Sequence, residues 1–281
     1  MNTSELSAHK SEYIEGKGPV SIFKNSSPNL SSAVVAGMDL PDLLTRGFAM
    51  QFQTERKKFT YTRDHYTRDD IVSYFAVSGG KAVSSATCEI FGWGNKYAGF
   101  FWSALANSDP HLMTNLMAFN KFEALTVIRL SSVVTLPEWQ NKGIQAKILT
   151  RAFDDQRPPV AVAETRSPKS AKVIAKAAWN NGYQTFLGDT EITPGVFYYN
   201  EPPEALSRAH LALFGRMYLP KSLFSYDKDQ TRPDIPQVEG FSEPIIKAFT
   251  PLIEKQMFDK RTAYYLPLIA IKKGSIPHRT P

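Results

Sequence analysis

The sequence predicts an α/β fold, a mixed sheet with helices (α+β in its strand order), followed by a C-terminal extension. Three observations predict it. Residues 125–136, LTVIRLSSVVTL, are almost continuously β-branched or apolar, as a strand buried on both faces is. After Pro137 the period changes to that of a helix, with Ile144, Ile148, Leu149, Ala152 and Phe153 recurring at helical spacing. PPVAVAETR then reads as a short parallel strand leading into a second helix, and strand–helix–strand–helix is the α/β pattern.

The elements follow in order. Residues 1–37 are rich in Ser, Asn, Lys and Gly without apolar periodicity, so they read as a mobile N-terminal arm. LPDLLTRGFAMQFQ, residues 40–53, has Pro41 suited to a first turn and Leu44, Phe48 and Phe52 on one helical face. IVSYFAVSGGKAVSSATCEIFGW places two strands around Gly79-Gly80, a hairpin turn because glycine accepts positive φ. YAGFFWSAL is a further strand candidate. The first α/β helix runs from about Lys142 to about Asp154, and the second opens with Ser167 as cap and Pro168 at its first position, closing at Asn181-Gly182. GYQTFLGDTEITPGVFYYN supplies a strand pair, SRAHLALFGRMYL a helix, and a Pro-rich irregular tail ends the chain. The domain organisation is therefore an arm (1–37), an α/β domain (38–200) and an extension (201–281).

Composition excludes several classes. With 281 residues, 42% hydrophobic and 21% charged, the chain can bury a sizeable core and is neither disordered nor collagen-like. No apolar run reaches the roughly 18 residues of a spanning helix, and the N-terminus lacks a secretory apolar core, so a cytoplasmic protein is expected. The single cysteine, Cys88, makes neither an internal disulfide nor a cysteine-based zinc cluster and reads as a core residue. The five histidines lie far apart, and no metal is expected. The formal charge of +6 is uneven: segments 1–120, 121–182, 183–200 and 201–281 carry 0, +5, −2 and +3. The strand–helix–strand–helix unit is the most positive part, as a site for a phosphate-bearing ligand or an acidic partner is. Lys169, Lys172 and Lys176 form a basic stripe on its second helix.

No GxSxG elbow, HExxH, GxxxxGK[ST] loop or strand-linked GxGxxG is present. What remains is the turn VVTLPEWQNKGIQAKIL. A turn that ends a strand and opens a helix presents unpaired backbone N–H groups at the positive end of a helix dipole, which suits a pyrophosphate. Gly143 lets phosphates approach the backbone, Lys142 adds charge beside them, and Lys147 and Arg151 lie farther along for a peripheral phosphate.

Leu136-Pro137-Glu138-Trp139-Gln140-Asn141-Lys142-Gly143-Ile144-Gln145 resembles the V-x-P-E-Y-R/Q-G-x-G-I-G signature of the GNAT superfamily of acyl-CoA-dependent N-acyltransferases. Two positions depart from it: Asn141 replaces a common glycine, and Gln145 stands where glycine or alanine is usual, a larger side chain that could crowd a pyrophosphate or hydrogen-bond it. SAKVIAKAAWNNGY resembles the second family motif, with Gly182-Tyr183 as its closing pair. Together the motifs cover about residues 125–186.

The resemblance implies a GNAT-like acyltransferase fold and acetyl-CoA as cosubstrate. It maps Val133, Val134 and Thr135 onto the backbone that pairs with pantetheine, and Gln140, Asn141, Lys142, Gly143, Ile144, Gln145 and Ala146 onto the pyrophosphate loop. An amine attacks the thioester directly in such enzymes, so a base, a polarised carbonyl and an acid for the thiolate are wanted. The family's usual acid tyrosine falls at Ala178, leaving Tyr183, Tyr198 and Tyr199 as substitutes, each of which also reads as a packing aromatic. Glu164 is the base candidate or a structural acceptor, and Arg129 and Ser131 are the substrate-side residues. The acceptor implied by the charge is a nucleic acid, DNA or tRNA, or an acidic protein; some GNAT-like proteins modify DNA bases, as phage Mom-type enzymes do. The rival reading is a GNAT-shaped binding module without turnover.

Overall fold

The structure, a computed structural model, describes residues 7–14, 18–26, 39–40, 43, 46, 58–59, 70–91, 127–165, 167–187, 190–198, 215–218, 224–225, 245, 249–250 and 262–274. In chain order its strands are β1 (Ser7–Ile14), β2 (Gly18–Ser26), β3 (Lys58–Phe59), β4 (Ile71–Ser78), β5 (Lys81–Phe91), β6 (Val127–Thr135), β7 (Val160–Thr165), β8 (Tyr183–Leu187), β9 (Thr190–Ile192), β10 (Gly215–Tyr218), β11 (Phe224–Ser225) and β12 (Thr262–Lys272). The α-helices are α1 (Ile144–Gln156), α2 (Pro168–Asn180) and α3 (Pro194–Tyr198). The run β6–α1–β7–α2 confirms the expected α/β core. The chain divides into two compact units, one of Met1–Ile90, Leu130–Ala152 and Pro220–Pro233, the other of Phe91–Arg129, Phe153–Leu219 and Asp234–Pro281.

In the first unit the sheet runs β1-β2-β4-β5-β6, and β3 pairs with β11. β4 and β5 are joined by Gly79-Gly80, both left-handed at φ 56° and 77°, with Ser78 opposite Lys81. That is the two-residue hairpin the glycine pair predicts. Tyr74, Phe75, Ala86, Cys88, Ile148 and Leu149 are among its buried side chains. Within the segment expected as an N-terminal arm, β1 and β2 pair antiparallel, and β2 continues onto β4. Pairing along a sheet edge is carried by backbone N–H and C=O groups, so it needs no apolar alternation to announce it.

In the second unit β12 lies between β7 and β8, antiparallel to both, with Ile269 opposite Val162 on one side and Phe186 on the other. The last strand of the segment from residue 201 onward is thus interior to a sheet. β8 and β9 form the expected strand pair. β10 pairs with β12, so Gly215–Tyr218 is extended where the helix SRAHLALFGRMYL was expected; the rest of that segment lies outside the described residues. Also outside them lie YAGFFWSAL and the helix-face residues Leu44, Phe48 and Phe52, although Leu40, Leu43 and Arg46 are helical as predicted.

α2 is built as its sequence states. Ser167 accepts from the Ser170 backbone N–H at 3.2 Å, Ser170 Oγ accepts from the Ser167 N–H at 3.2 Å, and Pro168 occupies the first turn. Ala171, Ile174, Ala175, Ala177 and Ala178 are buried, while Lys169, Lys172 and Lys176 are exposed. Gly182, at φ 76°, ends the helix, and Lys272 of β12 donates to the Asn181 carbonyl beside it. Among the described residues no helix is long and apolar enough to cross a membrane.

Candidate functional site

β6 positions the site. Its first residues are buried, but from Arg129 the pattern alternates: Arg129, Ser131, Val133 and Thr135 are partly exposed, Leu130, Ser132 and Val134 buried. The sequence predicted burial on both faces; instead one face is incompletely covered, which leaves the polar residues room. Midway, Ser132 takes φ 48°, a left-handed backbone inside a strand, costly for a non-glycine residue and frequent beside ligand sites.

After Thr135 the chain makes a 3-10 turn over Pro137–Trp139, with Trp139 buried and Glu138 in a double hydrogen bond from Arg46, both distances 2.9 Å. Asn141 then adopts φ 59° and Gly143 φ 73°. The replacement of a glycine by Asn141 is therefore conformationally mild, since Asn is among the few side chains that enter this region. Among the described residues a Cβ built on Gly143 would meet nothing within 4 Å, so the loop is open at that position. Asn141, Lys142 and Gly143 are exposed. The first intrahelical bond runs from Lys147 N–H to Gly143 O, 3.2 Å, so the amides of Ile144, Gln145 and Ala146 lie ahead of the ladder at the helix's positive end.

Gln145 corrects an expectation. Its side chain neither crowds the loop nor reaches over it, because it turns into the protein. Oε1 accepts from Thr135 Oγ1 at 2.7 Å and lies 2.9 Å from Ser84 Oγ, and Nε2 donates to the Ser85 carbonyl at 3.1 Å. Ser84 Oγ also lies 2.7 Å from Thr135 Oγ1 and 3.0 Å from the Val134 carbonyl. Gln140 turns inward as well, donating to the Thr135 carbonyl at 3.2 Å. Ile144 is buried, Ala146 half-buried, Lys147 exposed and Arg151 partly buried.

The other candidates separate. Arg129 and Glu164, assigned different roles by the sequence, form one ion pair at 2.5 Å, with side chains 19% and 9% exposed. Glu164 Oε1 is thus occupied by a guanidinium. Ser131 Oγ donates to Glu89 Oε1 at 2.6 Å and lies 2.6 Å from Thr87 Oγ1. Glu89, 2% exposed, was missed; its signal was a carboxylate among the apolar and hydroxylic residues that follow Lys81 in β5. Tyr183, an acid candidate, is a packing residue: its hydroxyl donates to the Pro158 carbonyl at 2.8 Å and its ring lies 4.9 Å from that of Phe153. Burial pushes that hydroxyl up to about 12, against a smaller lowering by Arg157. Ala178 is fully buried. Tyr198 closes α3, its side chain outside the described residues, as is Tyr199. Among the described residues no group of three His, Cys, Asp or Glu side chains could hold a metal.

No protein-family model matches the chain, and no curated protein matches it. The solved structures that resemble it include acetyltransferases and acyltransferases. The GNAT domain of S. lividans PAT is 14% identical, with 66% of this chain and 92% of that one covered at a TM-score of 0.39. Polyamine N-acetyltransferase of Drosophila melanogaster, an enzyme that forms N-acetylagmatine, is 10% identical over 89% of this chain and 99% of that one, TM-score 0.38. An acyl-CoA N-acyltransferase from Pseudomonas aeruginosa is 9% identical over 60% and 90%, TM-score 0.37.

Proposed function

We propose that this protein is an N-acyltransferase that takes an acyl group, acetyl for preference, from acyl-CoA and delivers it to an amine. One observation carries the reading: the β6–α1 loop combines two exposed left-handed residues, open space above Gly143 and an unsealed helix start, with the one bulky departure, Gln145, turned away. Backbone N–H groups of residues 140–146 receive the pyrophosphate, Lys142 adds charge, and the backbone of Val133, Val134 and Thr135 pairs with pantetheine. The amine attacks the thioester carbon, the C–S bond breaks, and the thiolate leaves with a proton from solvent or from Tyr198. The amine proton passes to Ser131 Oγ as the Ser131 proton passes to Glu89 Oε1.

The acceptor we favour is a nucleic acid, DNA or tRNA, from the +5 charge of residues 121–182 and the exposed lysines of α2. An acidic protein is the alternative acceptor, and a cytoplasmic location fits either. A second reading, a binding module without turnover, is favoured by Ala178 and by the engaged Tyr183 hydroxyl, which leave the α2–β8 corner without an acid.

Calorimetric titration with acetyl-CoA, beside a Gly143→Trp variant that fills the open space, tests the reading. Binding by the parent and no heat from the variant is expected; no heat from either overturns it. Thiol release with an amine-bearing tRNA or DNA panel then separates an enzyme from a module that binds nucleic acid indifferently to acetyl-CoA.

A further inference from the structure

We infer that Gln140 and Gln145 are positioning residues that form a clip, holding the β6–α1 loop in its receptive shape from both ends through the single residue Thr135. The inference rests on the acyl-CoA reading for its consequence, though not for its geometry. Gln140, at the start of the loop, donates to the Thr135 backbone carbonyl at 3.2 Å; Gln145, in the first turn of α1, accepts from the Thr135 hydroxyl at 2.7 Å. The residues between them include both left-handed positions, Asn141 and Gly143, and the exposed Lys142.

The geometry is over-determined at the Gln145 end. A primary amide has a carbonyl that only accepts and an NH2 that only donates. Here the carbonyl faces two hydroxyls, those of Ser84 and Thr135, and the NH2 faces the Ser85 carbonyl, which can only accept. The opposite flip would set the NH2 between the hydroxyls and the amide oxygen against a carbonyl oxygen, so a single orientation satisfies all three partners. Two hydroxyl protons serve the triangle of Ser84, Thr135 and Gln145: Thr135 donates to Oε1, and Ser84 donates to Thr135, to Oε1 or to the Val134 carbonyl. β5, the end of β6 and the first turn of α1 are thereby joined in one partly buried network. A glycine or alanine in place of Gln145 would leave Ser84, Ser85 and Thr135 without this partner.

A loop with two left-handed residues is a poor conformation to hold unaided. With the clip in place its N–H groups are set before a ligand arrives, so less ordering remains to be done on binding.

The test uses the full chain and two probes. Hydrogen exchange of the backbone amides of residues 141–147 is compared in the parent, Gln145→Met and Gln140→Met, with the α2 amides, which none of these side chains touches, as internal reference. Gln145→Met, which keeps length but no amide, is expected to raise exchange at 141–147 by roughly tenfold with α2 unchanged, and to weaken CoA binding by roughly five- to thirtyfold. Gln140→Met, which loses one bond, is expected to do the same by less, and the double variant to show coupling between the two. Should Gln145→Met fail to fold, Ser84→Ala, which removes one network member, carries the same comparison. Unchanged exchange at 141–147, or a rise shared equally by α2, overturns the clip. If the parent binds no CoA while exchange at 141–147 responds as stated, the clip stands and the acyl-CoA reading falls.

Discussion

α1 and α2 are each 13 residues long and each follows a strand, yet they begin in opposite ways. α2 is sealed: Ser167 and Ser170 satisfy each other's backbone donors, and Pro168 has no N–H to satisfy. α1 begins at Gly143, which has no side chain to fold back over the helix end. Its side-chain bonding comes from Gln145 and points away from the terminus toward β5 and β6. α2 closes its own end, whereas α1 is anchored from below by Gln145, the arrangement the acyl-CoA reading calls for.

The contrast can be broken most strongly at Gly143. Gly143→Asp places a capping carboxylate and a negative charge where the pyrophosphate would sit. It is expected to weaken acetyl-CoA by about 100-fold, about 2.7 kcal/mol, in a calorimetric titration. Asn141→Val forces a β-branched residue to φ 59° and should cost about 2 kcal/mol in urea unfolding, while Asn141→Gly should stay within about 0.5 kcal/mol of the parent. At the sealed end, Ser167→Ala should cost about 1 kcal/mol of stability and leave acetyl-CoA affinity unaltered; a loss of affinity there would erase the distinction between the two helix starts.

A further effect is a matter of pH. The Tyr183 hydroxyl, just past the sealed helix, is pushed up to about 12 from 10.0. Below pH 10 folded and unfolded chains hold its proton alike and its contribution is complete. From about pH 10 the unfolded chain releases the proton first, so stability falls as pH rises and the contribution is gone above about 12. Tyr183→Phe should flatten that slope in denaturation curves between those limits.

Much of the fold was legible because it is local chemistry. The Gly79-Gly80 turn, the Ser167-Pro168 helix start and the Gly182 stop each depend on residues adjacent in the chain. So do the left-handed positions of the β6–α1 loop, which Asn141 and Gly143 allow whatever surrounds them. The N-terminal strands were not legible, since β2 joins β4 through backbone bonds that leave little mark on side-chain pattern. At the site, the loop could be found from its motif, while the partners of its side chains could not. Arg129 and Glu164 are 35 residues apart in the chain, and Ser131 and Glu89 are separated by 42.

By itself, then, the sequence determined the Gly79-Gly80 turn, the start and stop of α2 and the handover from β6 to α1, because those choices rest on φ preferences, caps and periodicity within a few residues. Only the tertiary structure decided that residues 262–272 form an interior strand of a sheet, that Tyr183 is packed rather than poised, and that Gln145 holds the loop instead of blocking it. A side chain's direction is settled by the donors and acceptors that distant segments bring to it, and those come together only when the chain has folded.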